Sequence, residues 1–368
     1  MRIFRYLMRE TFKSQIAVLV VLMTIFVSQK FVRVLADASA GEIPSDTVIQ
    51  LLGLNLPALA ALILPLSLFL GILLAHGRIY ADNEMTVLHA CGVSEWYVTR
   101  VTLVLATLLA LVTAALTVWM VPWSLEQERK VEERARNDGG LSVIMPGRFQ
   151  QASNQKAVIF VQGLTETGEL DEVFVAQSLR DENDNVIGGS VVMADTGNVI
   201  TGESGAQNLV LNAGTRYATE QYSRELQVME FDSYRLQIKE QETAESIRKL
   251  EAFTMAELWQ ADDAQAQAEW QWRIAIPLAM PLLTLIAVPL SRVNPRQGKF
   301  ARMAPALLIY LGYFLLLMAA RSAVADGVIP AAIGLWWIHI LLALFGVALV
   351  AKGRPFGMRV IARLRWSR

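Results

Sequence analysis

The residues able to do chemistry are few and scattered. Three histidines, His76, His89 and His339, lie far apart and show no metal-ligand spacing. The one cysteine, Cys91, excludes an intrachain disulfide framework, and a free cysteine ordinarily behaves as a small hydrophobe. No Gly-x-x-x-x-Gly-Lys-Ser/Thr loop is present to cradle phosphates. Gln297-Gly298-Lys299-Phe300 lacks both the first glycine and the hydroxyl. The apolar runs carry no carboxylate at mid-depth, against an intramembrane protease or a proton relay. An enzyme is not expected, and neither is a cofactor, a metal or a nucleic-acid partner. If energy is used, another subunit hydrolyses the nucleotide.

What remains is charge placed at the ends of apolar segments. Glu84 sits in a polar loop, Arg78–Arg100, wedged between two long apolar runs. Asp82 or Asn83 is expected to cap a helix there, because a short side-chain oxygen accepts from the free N–H groups of a first turn. Glu84 then lies where the helix dipole favours negative charge. Gly92 supplies a left-handed stop, and Ser94 caps the next helix. A short helix at roughly 83–90 follows, with Met85 and Leu88 as its apolar face and one carboxylate. Such a helix suits docking, with Glu84, Met85, Leu88 and Cys91 as the contact residues. A second group of charges is Lys30, Arg33 and Arg321.

The elements that position these groups are membrane spans. The chain is 54% hydrophobic and 18% charged, with a mean hydropathy of +0.38 and a formal net charge of −1. Soluble domains carry about a quarter charged residues. Apolar runs fall at roughly 15–36, 54–76, 98–121, 272–291, 303–324 and 332–351, each near the roughly 20 residues that cross a bilayer. Pro57 and Pro65 are expected to break the regularity of the second, and the fourth carries Pro277, Pro281 and Pro289. Residues 2–13 place Arg2, Arg5, Arg9 and Lys13 on one helical face, as an interfacial helix or as the positive flank of the first span. No cleavable signal peptide is expected.

Basic residues set the orientation. Arg2, Arg5, Arg9, Lys13, Arg78, Arg100, Arg292, Arg296, Lys299, Arg302 and the tail from Lys352 onward fall on one side. Only Lys30, Arg33 and Arg321 fall in short connectors on the other. Both termini and the 78–100 loop are therefore expected in the cytoplasm, and residues 123–271 outside. That outer region opens with a helical composition at 124–137 and continues with short strands at 157–163, 171–178, 189–195, 207–212 and 224–238, separated by the turn residues Thr167-Gly168, Asp184-Asn185, Gly188-Gly189, Gly202 and Asn212-Ala213-Gly214. A β-sandwich or jellyroll is expected. The last strand changes face along its length, which calls for a bulge or bend. Three parts result: 1–122, with the first three spans and the docking helix; 123–271, the β domain with flanking helices; and 272–368, with the last three spans and a basic tail.

Several motifs then fall into one pattern: Arg5-Tyr6-Leu7 with Arg9-Glu10-Thr11, Gln29-Lys30 with Arg33, Ile63-Leu64-Pro65-Leu66-Ser67-Leu68-Phe69-Leu70-Gly71, Glu84 with His89-Ala90-Cys91-Gly92, Gly147-Arg148-Phe149-Gln150-Gln151-Ala152, and Val293-Asn294-Pro295-Arg296-Gln297-Gly298. Together they resemble the LptF/LptG permease family of the lipopolysaccharide export ABC transporter, over nearly the whole chain. The resemblance implies six spans and a periplasmic jellyroll. It implies an LptG-like second permease subunit, an LptB-like ATPase dimer and an LptC-like subunit with its own jellyroll. The implied task is to extract lipopolysaccharide from the outer leaflet of the bacterial inner membrane and pass it to a periplasmic bridge. Glu84 would then meet a basic residue of the ATPase, and acyl chains would pass through a partly open β core. Lys30, Arg33 and Arg321 would gather lipid phosphates; alternatively they reach ordinary headgroups, or Arg33 pairs with Asp37. The competing functions are a permease-like mechanotransducer that moves no lipid and, less well supported, a secondary transporter.

Overall fold

A computed structural model describes residues 2–39, 47–138, 146–151, 157–165, 169–180, 186–201, 207–220, 226–239, 248–292 and 303–352. The chain divides into a helical unit, Met1–Lys30, Gly53–Gln127 and Arg248–Arg368, and a second unit, Phe31–Leu52 and Glu128–Ile247. The expected turns at Thr167-Gly168, Asp184-Asn185 and Gly202, the Asn294-Pro295 step with Arg296, Lys299 and Arg302, and the basic tail lie outside the described residues, while Gly188-Gly189, also expected as a turn, lies inside a strand.

Helix α1 runs unbroken over Arg2–Ser39. The expected interfacial segment and first span are one helix, because no glycine or proline interrupts the sequence. Helix α2, Val48–Ala81, passes through both Pro57 and Pro65 without a break. Helix α3 is Glu84–Ala90 and α4 is Glu95–Ala115. A π-helical turn, Leu116–Met120, joins α4 to α5, Val121–Asp138. Pro122 explains the turn: it has no N–H for the carbonyl four residues back, and its ring crowds that carbonyl. Helix α6, Met255–Gln260, opens with a capping box between Thr254 and Glu257.

Helix α7, Ala264–Leu290, holds all three prolines inside it. Pro277 leaves the carbonyl of Arg273 without its helical donor, and the Thr117 hydroxyl fills that role at 3.0 Å. A neighbouring segment thus satisfies the carbonyl that the proline frees. Helix α8 is Met303–Ala325 and α9 is Trp336–Lys352. Among the described residues, five segments are long and apolar enough to cross a membrane: α1, α2, the continuous α4–α5 stretch, α7 and α8. Helix α9, expected as a sixth span, has 17 residues, about 26 Å of helix against about 30 Å of hydrocarbon. One core of aliphatic and aromatic side chains, including Leu7, Phe69, Met85, Val101, Met280 and Leu317, draws on α1, α2, α3, α4, α7 and α8.

The second unit is built on an antiparallel sheet. Its strands are β1 Phe149–Gln151, β2 Ala157–Leu164, β3 Leu170–Arg180, β4 Val186–Thr201, β5 Gln207–Glu220 and β6 Leu226–Lys239. They pair in sequence order as a single six-stranded meander, so the described strands do not form the two separate sheets expected of a sandwich. The Asn212-Ala213-Gly214 stretch, expected as a turn, lies inside β5. One line across the sheet explains both differences. The pairs Gln162–Glu172, Glu172–Asp195, Asp195–Ala213 and Ala213–Asp232 are missing from ladders that keep the same register immediately on both sides of the gap. Glu172 and Ala213 have φ of 46° and 51°. The inward face changes parity at this crease. Val173, Val175, Val192 and Ala194 on one side and Leu170, Leu209 and Leu211 on the other enter one buried cluster, joined by Phe231, Tyr234 and Leu236. The sheet supplies both walls of its own core.

Candidate functional site

Helix α3 is held at both ends by its sequence. Its first turn is not capped by a side chain, contrary to expectation. Asn83 instead adopts a left-handed conformation (φ 60°), and its carbonyl accepts from Val87 N at 3.2 Å. Asparagine is among the few side chains that tolerate that region. The C-terminus closes as the sequence predicts. Gly92 has φ +86°, its N–H donates to the His89 carbonyl, and Val93 N–H donates to the Leu88 carbonyl, both at 3.0 Å. These two bonds form a Schellman motif, and Leu88 and Val93 pack on the same core beside it. The His89 Nδ1–H donates to the Val93 carbonyl at 2.7 Å. Ser94 then accepts from Tyr97 N at 3.2 Å and starts α4. Glu95, in the first turn of α4, pairs with Arg292 at 2.5 Å.

The faces of α3 differ from those expected. Met85 is fully buried in the chain's own core with Leu7 and Ile79, and Leu88 is half-buried against it. The outward stripe is Glu84, Val87 and Cys91, at i, i+3 and i+7, with Val87 61% exposed. Met85 is therefore corrected from a docking residue to a core residue, and Val87 replaces it on the open face. The Glu84 carboxylate accepts from the Tyr6 hydroxyl of α1.

The three cations Lys30, Arg33 and Arg321 are in different circumstances. Lys30 is half-buried and Arg33 exposed, three residues apart on α1. Among the described residues, Arg33 and Asp37 form no ion pair. Arg321 is already engaged within the protein. Its guanidinium donates to Glu269 at 2.8 Å, stands 3.6 Å from Glu251 and lies 4.9 Å from the Trp272 ring centroid. The buried Arg273 shares Glu269 at 2.8 Å and donates to the carbonyls of Phe253, Glu251 and Leu250 at 2.7, 2.9 and 3.3 Å. This network ties α7 and α8 to the segment that precedes α6. Its sequence signal, Glu269 four residues before Arg273, falls across the expected boundary between a flanking helix of the β domain and the fourth apolar run.

In the sheet unit, an open groove crosses the face opposite the core. A row of aligned residues, Phe149, Phe160, Phe174 and Met193, lies beside the carboxylates of the crease, Glu172, Asp195 and Asp232. Among the described residues no lysine or arginine lines it, so the groove favours apolar groups and disfavours anions.

Sequence comparison places this arrangement among known proteins. A family model described as lipopolysaccharide export system permease LptF/LptG matches residues 5–352. The chain is 37% identical over 349 residues to the lipopolysaccharide export system permease protein LptF of Escherichia coli K12, covering 95% of this chain and 94% of that one. The LptF proteins of E. coli O157:H7 and Shigella flexneri match to the same extent. These matches take in both the helical unit and the sheet, and the chain therefore belongs to the LptF/LptG family of lipopolysaccharide export system permeases.

Proposed function

We propose that this chain is a permease subunit of an ABC transporter that takes lipopolysaccharide from the outer leaflet of the bacterial inner membrane and hands it to a periplasmic carrier. The observation that carries the reading is the face of α3. Glu84, Val87 and Cys91 form one open stripe on a helix whose inward residues are already satisfied. A separate LptB-like ATPase docks there on the cytoplasmic side, a cation of that subunit pairing with Glu84. An LptG-like permease subunit and an LptC-like subunit complete the assembly. The excess of arginine and lysine near α1's start and the α2–α4 turn supports that orientation.

On the periplasmic side, Lys30 and Arg33 hold the lipid's phosphates, Arg33 through paired N–H donors and Lys30 as a point charge. Arg321, held by Glu269, contributes field more than a free hand. Acyl chains pass between the arms of the creased sheet, whose missing ladder pairs ease the bend while the chains replace the apolar contacts that the parting arms give up.

The test is association of the ATPase with the purified permease complex. Glu84→Ala weakens it, and Glu84→Asp weakens it less, because charge survives while reach is lost. Lys30→Ala with Arg33→Ala lowers lipopolysaccharide binding and leaves assembly intact. If both Glu84 variants dock the ATPase and export lipid at the wild-type rate, the docking reading is wrong.

A further inference from the structure

Among the described residues, helix α1 is fastened to the rest of the helical unit along its first third, while its last residues, from Phe31, belong to the second unit, where Val34 and Ala38 are buried. Four polar contacts climb its first third: the Tyr6 hydroxyl to Glu84, Glu10 to Arg78 at 2.6 Å, Thr11 to His76 at 3.2 Å, and Gln15 to Ser67 at 3.4 Å. As α1 ascends through 6, 10, 11 and 15, its partners descend through 84, 78, 76 and 67, so the segments run antiparallel. Leu7, Thr11 and Gln15 are buried along this seam. Gly71 lets the backbones close on each other: a Cβ there would stand 2.6 Å from the Gln15 Cα. Farther on the attachment is sparse. The apolar window of α1 is 6% buried, against 61% for α2 and for α7. With neither glycine nor proline in it, α1 continues as a stiff rod, about 36 Å from Tyr6 to Lys30 at 1.5 Å per residue.

We propose that Tyr6 is a positioning residue that latches α3 to the fastened end of α1, so that a push on α3 tilts α1 as a lever and moves Lys30 at its far end. The inference rests on the reading of α3 as the ATPase dock. Tyr6 donates to a single carboxylate oxygen, and an ionised carboxylate has two oxygens with about four acceptor positions. Glu84 therefore keeps room for a cation from a partner while Tyr6 holds it. The phenol is neutral, so it orients the carboxylate without cancelling its charge. Met85 on α3 shares a core with Leu7 on α1 and Ile79 on α2; this packing keeps the two helices adjacent, and the Tyr6 hydroxyl fixes how one follows the other. The latch differs from a lipid contact or a docking contact: it acts between two helices of one chain.

The experiment uses the full transporter in nanodiscs. Ser28, exposed on α1, is replaced by p-acetylphenylalanine and coupled to a nitroxide, which leaves Cys91 untouched. ATP should change the label's spectrum in the wild type. Tyr6→Phe should reduce that change at least five-fold and lower lipid exported per ATP hydrolysed by a similar factor. The same variant should keep ATPase docking within two-fold and unfold at the wild-type temperature. A full spectral response in Tyr6→Phe overturns the latch, and so does a wild type whose label ignores ATP. A drop in unfolding temperature that accounts for the lost response makes Tyr6 a packing residue and also overturns it. Glu84→Gln is measured for docking alone. Normal docking there sinks the dock reading, while the label in Tyr6→Phe still decides the latch.

Discussion

Replacing Glu269 separates a buried structural charge from its exposed neighbours. The Glu269 side chain is 7% exposed and Arg273 is 3% exposed, 2.8 Å apart. Glu269→Ala leaves the Arg273 guanidinium buried with backbone carbonyls as its remaining partners. Breaking one side of a buried pair costs about 3–5 kcal/mol. Three carbonyls still accept from Arg273, so the lower end, about 3 kcal/mol, is expected. Glu269→Gln keeps an acceptor and loses the charge, for about 1–2 kcal/mol. Glu251, 49% exposed and 3.6 Å from Arg321, is the control: Glu251→Ala should cost about 0–1 kcal/mol. The assay is thermal unfolding in detergent near neutral pH. At about 2–4 °C per kcal/mol for a unit of 150–250 residues, the ordering is a loss of about 6–12 °C for Glu269→Ala, about one third to two thirds of that for Glu269→Gln, and the smallest change for Glu251→Ala. A Glu269→Ala protein that melts like the wild type would refute the reasoning. Equal losses at Glu251 and Glu269 would refute it too, because burial would then not be what sets the cost.

Other perturbations follow from the same geometry. Gly71→Ala drives a methyl into the Gln15 backbone and should cost about 1–3 kcal/mol, read as a lower unfolding temperature with a looser α1. Val87→Asp should leave the unfolding temperature within about 2 °C, as for an exposed site, yet reduce ATPase association at least ten-fold; Met85→Asp, in the core, should prevent accumulation of folded protein. Arg248 and the Thr254 N–H hold the Glu257 carboxyl down to about 2 from its usual 4.5. A depressed carboxyl stabilises the fold above its unfolded value, so that contribution should be complete above about pH 5 and fade between about pH 4.5 and pH 2. Wild type and Glu257→Gln, followed by unfolding temperature against pH, should converge over that window.

The helices and strands were legible because their patterns are long. Apolar runs near span length marked α1, α2, α4, α7 and α8, and alternating Val, Ile and Phe marked β2 to β6. The architecture of the sheet was not. The change of face seen in β6, from Phe231 to Tyr234 and Leu236, is a local sign, and a bend was the right local answer. Reading one strand at a time gave no means of knowing that β3, β4 and β5 change face at the same register. Asn212-Ala213-Gly214 has the composition of a turn, and turn composition reports a departure from extended geometry. It does not say whether the strand stops there or only creases. Pairing across the sheet decides that, and pairing is nonlocal.

Helix α3 shows the same limit at the scale of single side chains. Gly92 and Ser94 act through backbone geometry within a few residues, so their roles could be read directly. Met85 and Leu88 were legible as one apolar face, but amphipathicity does not say whether that face meets a partner or the chain itself. A seven-residue helix between two spans has little chance to leave a fully apolar face open, because its own neighbours compete for it at no translational cost. Leu7 and Ile79 win that competition for Met85. The face left for a partner is then the one with less apolar content, Glu84, Val87 and Cys91, where one carboxylate and one exposed valine are the two available handles. On the proposed docking reading, charge there selects the partner and the valine adds the contact, so a docking site of this kind is found by removing the residues the fold already needs.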